Sequence, residues 1–453
     1  MEYHIIYVKI TIDNKYKERY NQFSDLSLYQ TKLNSGRKMM GKLNIYTPDG
    51  VQDTLFYECE YKRDFENTVI DTFTGCGFFE IETPTYEFYD VFDSLDGICQ
   101  ENCFKFFDRE GRILTLRPDL TTPISRVVST KFSEKDFPLK ISYIGNAFRY
   151  EDVQKGGRQR EFTQAGIEIY GDDSPEADAE VIVTAIKTLK AVGLSEFKFD
   201  IGNVLFFEGL IEKAGLNKEM EDKILEYLNS KETFMLSEYL DSIDIDEKIK
   251  NILLELPEAF GDIEVLEKYL DSNINETSKK ALLNLKEVYE IIKDYGYEKY
   301  VSIDLGLIQS IKYYTGIVFK GFTYGVGFPI CGGGRYDKLS ERFGKSISAT
   351  GCALSVSRLV SCMLLKEEEI DKVACDIAIF FDKEERKQAI ALSESLRHDG
   401  LSVEIKVKTD MEKDLSYLER KGIANGIFLK GEKAVIHNIK ENKVTETTCG
   451  GLL

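Results

Sequence analysis

The sequence has very little histidine. Only His4, His398 and His437 occur among 453 residues, so a mechanism that needs a histidine base in the central part of the chain is excluded. Long apolar runs are also missing, since none approaches the ~20 residues of a membrane-spanning helix. The start, MEYHIIYVKITIDNK, lacks the features of a secretory signal. We therefore expect a cytoplasmic protein with no membrane contact.

Cysteine is present without a pattern typical of a metal site or a disulfide framework. The nine cysteines are scattered, odd in number and contain no CxxC pair. Cys99 and Cys103 are four residues apart, but no second ligand pair or nearby histidine completes a tetrahedral zinc site. The chain also lacks a Gly-Lys-Ser/Thr phosphate loop and a GxGxxG block after a first strand. We expect reduced thiols, no metal and no cofactor.

Excess positive charge is missing as well, because the formal net charge is −19 at pH 7. Affinity for nucleic acid depends on Lys and Arg displacing condensed counterions, so this balance argues against binding tRNA. The hydrophobic content of 43% indicates a globular protein that buries a large core.

Changes in residue pattern divide the chain into three predicted parts. Residues 1–40 form a polar N-terminal extension, either an added leader or an arm that binds a partner. Residues 41–370 form the core, with a helical insertion at about 204–295, where apolar residues recur at helical spacing. Residues 373–453 follow a compact βαβ pattern, typical of a small separate α/β domain.

Local patterns predict individual elements within these parts. Helices are predicted at 61–74, after Thr122 as N-cap and Pro123, through Leu396 and near 415–420. Strands are predicted at 78–82, 112–117, 314–323, 377–381, 403–407 and 427–429. A strand running into a helix is predicted at 351–365.

A predicted antiparallel hairpin at 139–170 carries the most informative residues. Alternation places Arg160, Gln164, Gly166 and Glu168 on one face of its second strand. Since Gly166 has no side chain, a small polar ligand could lie between the amide and the carboxylate. An exposed strand face with a bulge at the glycine is the alternative.

A second candidate is the glycine-rich stretch at 331–337, CGGGRYD, which we interpret as a loop. Its backbone N–H groups could surround a phosphate or a zwitterion. A plain turn is the alternative.

Residues 41–365 resemble the catalytic core of histidyl-tRNA synthetase. The matching blocks occur in the family's order and cover most of the chain. They are Pro84 closing motif 1, LTLRPDLTTP (114–123), YIGNAFRYE (143–151, motif 2), IKYYTGIVF (311–319), GGGRYD (332–337) and GCALSVSRL (351–359, motif 3).

The resemblance implies an α+β fold of the class II aminoacyl-tRNA synthetase type, with an antiparallel sheet, flanking helices and a homodimer. It also implies a histidine pocket in which Glu168 and Tyr314 face the imidazole, while Arg149 and Arg358 match arginines that hold ATP phosphate. The candidate histidine-binding residues are Asp119, Thr121, Arg149, Gln164, Glu168, Gln309, Tyr313 and Tyr314.

Four positions depart from the pattern of active synthetases. Gln309 stands where the family has the arginine that binds the histidine carboxylate and steadies charge on the α-phosphate, and a neutral amide cannot supply that charge. Lys312 replaces an acid, and Ser355 and Ser357 replace a glycine and an acid in motif 3. Adenylate formation is therefore not expected, and no residue is assigned a catalytic role.

The glutamine-containing block and the start Pro48-Asp49-Gly50-Val51 are similar to the regulatory subunit family of ATP phosphoribosyltransferase. That family implies a non-catalytic chain that assembles with a separate short catalytic chain in a hetero-oligomer. It also implies a requirement in the first step of L-histidine biosynthesis and sensing of histidine. An active histidyl-tRNA synthetase, or a sensor with another partner, are the alternatives.

The C-terminal region resembles the anticodon-binding domain of the synthetases, which we expect most members of the regulatory family to lack. From Val373 onward it has 13 Lys and Arg against 14 Asp and Glu, without a dense basic patch. We interpret it as a remnant retained for packing or assembly.

Overall fold

The computed structural model describes residues 46–92, 102–150, 159–272, 274–308, 314–366 and 374–452. The predicted N-terminal extension at 1–40 lies outside these residues. The chain divides into two compact units, with one boundary at residues 366 and 367. Among the described residues, the larger unit holds 46–53 and 61–366, and the smaller holds 54–60 and 374–452.

Seventeen strands occur in the described residues. In chain order they are β1 (Phe79–Glu80), β2 (Tyr86–Phe88), β3 (Lys105–Phe107), β4 (Ile113–Leu116), β5 (Leu139–Phe148), β6 (Glu161–Tyr170), β7 (Phe197–Asn203), β8 (Phe260–Gly261), β9 (Val301–Asp304), β10 (Ile317–Thr323), β11 (Cys331–Arg335), β12 (Ala349–Ser355), β13 (Ile377–Phe381), β14 (Val403–Val407), β15 (Asn425–Lys430), β16 (Lys433–Asn438) and β17 (Lys443–Thr448).

A nine-stranded sheet dominates the larger unit, in the order β1-β5-β6-β12-β11-β10-β7-β9-β8. Its six central strands pair antiparallel, whereas β1 joins β5 and β9 joins β7 in parallel. The predicted α+β fold with a large sheet and flanking helices is confirmed, and the sheet is mixed at its margins. A second sheet of this unit has the order β2-β4-β3.

Twelve α-helices occur in the described residues. They are α1 (Tyr57–Gly75), α2 (Thr121–Lys131), α3 (Pro175–Ala191), α4 (Val204–Ala214), α5 (Lys218–Ser230), α6 (Thr233–Ser242), α7 (Glu247–Glu255), α8 (Glu264–Leu270), α9 (Glu276–Asp294), α10 (Val356–Lys366), α11 (Arg386–His398) and α12 (Met411–Lys421).

The core of the larger unit lies on one face of the nine-stranded sheet. Alternation turns Ala165, Ile167 and Ile169 of β6 toward this core, where they pack with buried residues of α3 and α9. Helix α3 begins after Ser174, whose hydroxyl accepts the Ala177 N–H at 3.3 Å, and a proline occupies its first turn. The opposite face of the same strands is left for polar side chains.

The start of α2 differs from the prediction that Thr122 is its N-cap. The helix begins at Thr121, and Thr122 lies inside its first turn. The Asp119 carboxylate takes the capping role instead, since it accepts the Thr122 N–H and the Thr122 hydroxyl, each at 3.1 Å. The prediction was wrong because Asp119, three residues before Thr122, accepts the N–H group that an N-cap side chain would satisfy.

The smaller unit contains a five-stranded sheet in the order β14-β13-β15-β16-β17. Strands β13 and β14 have the bounds predicted from the βαβ pattern. The hairpin of β16 and β17 was not predicted, because neither KAVIHN nor KVTETT alternates apolar and polar residues.

No helix within the described part of the chain is both long and apolar enough to cross a membrane.

A buried ion pair ties β11 to the start of α3. The Arg335 guanidinium contacts both carboxylate oxygens of Asp178 at 3.1 Å, and the two side chains are 8% and 2% exposed. The same guanidinium donates to the Asp172 and Ser174 carbonyls at 3.1 and 3.2 Å. The pair therefore joins a central strand to a helix across the core face.

We expect Arg335→Met to lower the unfolding free energy of the larger unit by about 3–5 kcal/mol, because it leaves the buried Asp178 carboxylate without its partner. Scanning calorimetry would measure the loss. Lys223→Met is the control, since it removes an exposed ion pair to Glu226 in the same unit that contributes about 0–1 kcal/mol. Equal melting temperatures for the two variants would contradict this role.

Candidate functional site

A buried carboxyl group lies at the centre of the polar face of the nine-stranded sheet. Glu168 of β6 is 1% exposed, and three hydroxyl groups donate to it. Thr121 and Tyr143 each donate to Oε1 at 3.0 Å, and Tyr336 donates to Oε2. The donors come from α2, β5 and the segment after β11, so Glu168 joins three separate parts of the fold.

Burial sets the protonation of this group. It raises the pKa of Glu168 from 4.5 to about 8, although the hydrogen bonds from Tyr336, Thr121 and Tyr143 act in the opposite direction. Burial also raises the pKa of Tyr143 and Tyr336 well above their ordinary value, and the Glu168 charge adds to that shift. The phenols therefore remain hydrogen-bond donors at neutral pH.

Two glycines make room for the side chains of this pocket. The Glu168 carboxyl lies over its register partner Gly351, where an added Cβ would be 1.5 Å from Oε2. The Tyr143 ring lies over Gly166, where a Cβ would be 2.3 Å from the phenol oxygen. The prediction of an empty space above Gly166 is wrong, because a protein side chain fills it.

The glycine-rich stretch at 331–337 also differs from its prediction as a loop. Residues Cys331–Arg335 form β11, which pairs with β10 on one side and β12 on the other. Backbone N–H groups bonded in a sheet are not free to surround a phosphate. The missing side chains instead leave an open floor at Gly332, where the atom nearest to an added Cβ is a backbone oxygen 3.8 Å away.

Two further predicted residues border the Glu168 pocket. Asp119 is buried, and burial raises its pKa while Thr122 and Arg149 oppose the shift. The side-chain amide oxygen of Gln164, Oε1, is buried without a hydrogen-bond partner among the described residues. An unsatisfied buried acceptor is costly, so this oxygen favours a ligand that donates a hydrogen bond.

Tyr314 packs against the buried cluster that contains Tyr143, Leu120 and Tyr336. Its ring passes Gly334 so closely that an added Cβ would be 2.9 Å from it. Tyr314 therefore lies on the Glu168 side of the sheet. Gln309 and Tyr313, the two other predicted pocket residues of this region, lie outside the described residues.

The two arginines matched to phosphate binding both donate to backbone oxygens. Arg149 donates to the Pro118 carbonyl at 2.8 Å, and Arg358 donates to the Pro329 carbonyl at 2.9 Å. Beside them, the Ser357 hydroxyl accepts the Thr163 N–H at 2.8 Å and joins α10 to β6.

The structure thus brings Thr121 into direct contact with Glu168, with Tyr314 beside the same cluster. Sequence reasoning missed Tyr143 and Tyr336, although both stand in the quoted blocks YIGNAFRYE and GGGRYD. Tyr143 stands opposite Gly166 in the hairpin of β5 and β6, and that pairing was the signal that could have identified it. No group of three or more His, Cys, Asp or Glu side chains placed to hold a metal ion occurs in the described residues.

Comparisons with known proteins agree with this architecture. The sequence profile of the family described as histidyl-tRNA synthetase matches residues 50–359. A protein of Acetivibrio thermocellus called ATP phosphoribosyltransferase regulatory subunit is 46% identical over 91% of this chain and all of that protein. A protein of the same name from Ruminiclostridium cellulolyticum is 45% identical over 91% of this chain and 99% of its own length.

The chain belongs to the ATP phosphoribosyltransferase regulatory subunit family, which is related to histidyl-tRNA synthetase.

Solved structures of relatives have the same fold. A crystal structure from Bacillus halodurans, described as an ATP phosphoribosyltransferase regulatory subunit/histidyl-tRNA synthetase, is 31% identical. The structural match covers 86% of this chain and 100% of the Bacillus halodurans chain, with a TM-score of 0.78. Histidyl-tRNA synthetase from Nostoc sp. has 21% identity and a TM-score of 0.73 over 91% of this chain and 98% of its own. The predicted class II synthetase-like fold is confirmed.

Relatives in the regulatory subunit family differ in how much of this chain they match, and the difference bears on the smaller, C-terminal unit. The Acetivibrio relative aligns over 91% of the chain, which must include part of the C-terminal unit. A Caldanaerobacter subterraneus relative has 94% of its length matched to 80% of the chain, and so is shorter. Other members of the family therefore also contain at least part of the smaller unit.

We expect Gly351→Ala to destabilise the larger unit by about 1–3 kcal/mol, because the new methyl group would displace the Glu168 carboxyl and strain a packed core. Gly332→Ala is the matched control in the neighbouring strand, where the Cβ meets open space, and its cost is about 0.5 kcal/mol or less. Thermal unfolding of both variants would test this, and equal losses would contradict the packing described for Gly351.

The raised pKa of Glu168 predicts a dependence of stability on pH. The folded chain retains a proton that the unfolded chain releases above pH 4.5. The stability from this group is therefore complete below that pH and is lost as pH rises to about 8. Its slope reaches about 1.4 kcal/mol per pH unit.

Denaturant unfolding of the wild type and Glu168→Gln at pH 5, 6.5 and 8 would isolate this contribution. The stability difference between the two proteins should shift in favour of Glu168→Gln as pH rises. Parallel stability curves would show that Glu168 ionises normally in the folded chain.

Proposed function

We propose that this chain is a non-catalytic regulatory subunit that binds L-histidine in the pocket around Glu168. In this proposal it assembles, as a homodimer within a larger hetero-oligomer, with a separate short catalytic chain of ATP phosphoribosyltransferase. It is required for the first step of L-histidine biosynthesis and conveys feedback inhibition.

The observation that carries the ligand assignment is the buried Glu168 carboxyl with its hydroxyl donors. An imidazole presents one N–H donor and one acceptor nitrogen when neutral, or two donors when protonated. A carboxyl group surrounded by phenols can satisfy either form, and the unpartnered Gln164 oxygen offers an acceptor for the ligand's amino group. The pocket thus has the polarity that a histidine zwitterion requires.

Three features support the absence of catalysis. Gln309 replaces the arginine that would steady charge at the α-phosphate. Ser357 replaces a motif 3 acid, and its hydroxyl is bonded to the Thr163 N–H. Relatives of full length share the description regulatory subunit.

An active histidyl-tRNA synthetase is the second candidate, favoured by the family profile over residues 50–359. Catalysis requires groups that stabilise the transition state rather than the bound substrate. Because the departures affect groups assigned to the phosphate while Glu168, Asp119 and Thr121 are retained, binding without adenylation is the better proposal. The balance of 13 basic and 14 acidic residues from Val373 onward also gives no support to an RNA site.

The deciding experiment assays the purified chain with and without a short phosphoribosyltransferase chain. We expect no histidine-dependent exchange of pyrophosphate into ATP, and phosphoribosyl-ATP synthesis that appears only when both chains are present and is inhibited by L-histidine. Pyrophosphate exchange would identify a synthetase instead.

The pocket is tested by titrating L-histidine into Glu168→Gln in a calorimeter. Removing a buried carboxyl group leaves its hydrogen-bond partners unsatisfied, at a cost of about 1–3 kcal/mol, and should weaken binding by about 10- to 100-fold. Glu180→Gln is the control, because its carboxylate pairs with Lys140 away from the pocket. Co-elution with the catalytic chain would show that Glu168→Gln remains assembled, and an unchanged dissociation constant would reject the pocket.

A further inference from the structure

The polar face of the nine-stranded sheet extends beyond the Glu168 pocket to a lysine. Pairing carries one row of residues from Gly166 to Ala353, Gly332 and Lys320 in neighbouring strands. Opposite residues of paired strands lie on the same face, so Lys320 shares the face of Glu168. The row continues to Asp200 of β7.

The floor between Glu168 and Lys320 is open. Gly332 and Ala353 lie in it, and a Cβ on Gly332 would have no atom closer than 3.8 Å. The Glu168 carboxyl already reaches over Gly351, whose row continues to Gly334 and Val318. The backbone of Lys320 therefore lies two strand spacings, about 10 Å, across the sheet and two residues, about 7 Å, along it. A lysine side chain and a small amino acid together can span this gap.

Lys320 carries a charge without a fixed partner. Burial lowers its pKa, while the Asp304 and Asp200 carboxylates favour its charged form, and no hydrogen bond contributes. Among the described residues, neither carboxylate forms an ion pair with it. Asp200 accepts the Ser302 hydroxyl at 2.6 Å, and Asp304 accepts the Gly306 N–H at 2.9 Å.

Three other cations near this face already donate to the protein, and Lys231 lies near the Asp304 carboxylate. Lys198 donates to the Val301 carbonyl at 3.4 Å, Arg149 to the Pro118 carbonyl at 2.8 Å and Arg358 to the Pro329 carbonyl at 2.9 Å. A ligand carboxylate placed on the floor still needs a positive charge, because burying an unpaired carboxylate is costly. Gln309 cannot provide that charge.

We propose that Lys320 is the anchor for the carboxylate of the amino acid bound at Glu168, replacing the arginine that this chain lacks. This inference rests on the proposed function. The ligand then lies across the floor from Glu168 to Lys320, with its ring at the carboxyl and its carboxylate at the ammonium. The site thereby selects free α-amino acids over amines and alcohols with the same ring.

The test compares two ligands by calorimetry: L-histidine, and L-histidinol, in which a hydroxymethyl group replaces the carboxylate. The wild type should bind L-histidine about 10- to 100-fold more tightly, the value of one charge-assisted hydrogen bond. Lys320→Met should lose this preference because it weakens binding of L-histidine and leaves binding of L-histidinol unchanged. Lys320→Arg should keep much of the preference. Lys198→Met is the control on the same face and should keep the preference.

Each outcome decides between the two proposals. Equal weakening of both ligands by Lys320→Met, or no change in either, overturns the role of Lys320 and leaves the Glu168 pocket in place. Failure of the wild type to bind L-histidine overturns the proposed function and this inference together. Circular dichroism and melting of Lys320→Met and Lys320→Arg verify that both variants fold.

Discussion

The hydrogen bonds to the Glu168 carboxyl are the constraint on which the site depends. They connect Glu168 to the start of α2, the middle of β5 and the residue after β11. These donors are 47, 25 and 168 residues away from Glu168 in the sequence. A carboxyl group buried in this way is unfavourable without donors, so each of the three elements must be in place for the pocket to be stable. The geometry of a small site is thereby coupled to the assembly of the whole sheet.

Glycine has two different roles on this sheet face. At Gly166 and Gly351 the missing side chain makes room for Tyr143 and for Glu168 itself, so these glycines complete the protein's own packing. At Gly332 the same absence leaves open space, which is available to a ligand. Residue type alone does not distinguish the roles, because the difference depends on which side chain faces the glycine from the next strand.

Strands and site residues could be predicted from the sequence where the interactions that form them lie within one short segment. The hairpin of β5 and β6 and the bounds of β13 and β14 follow from alternation within short segments, and they were predicted. The strand character of Cys331–Arg335 depends on partners in β10 and β12, and a run of glycines has no apolar alternation to reveal it. Tyr143 and Tyr336 were missed for the same reason, since their role arises only when distant strands are paired.

In the proposed function, binding of the amino acid survives the loss of catalysis. Glu168 and its hydroxyl donors contact one another within the protein, so their positions are maintained by folding stability even without selection for a reaction. Gln309 and Ser357 occupy positions that the resemblance assigns to phosphate chemistry, where a replacement removes transition-state stabilisation. At Gln309 the replacement also removes the cation for the ligand's carboxylate, while Glu168 and its donors are retained. A regulatory subunit that senses an amino acid needs only the retained half of this machinery. Its remaining requirement is a cation for the ligand's carboxylate, and Lys320, across the open floor, is the residue we propose for it.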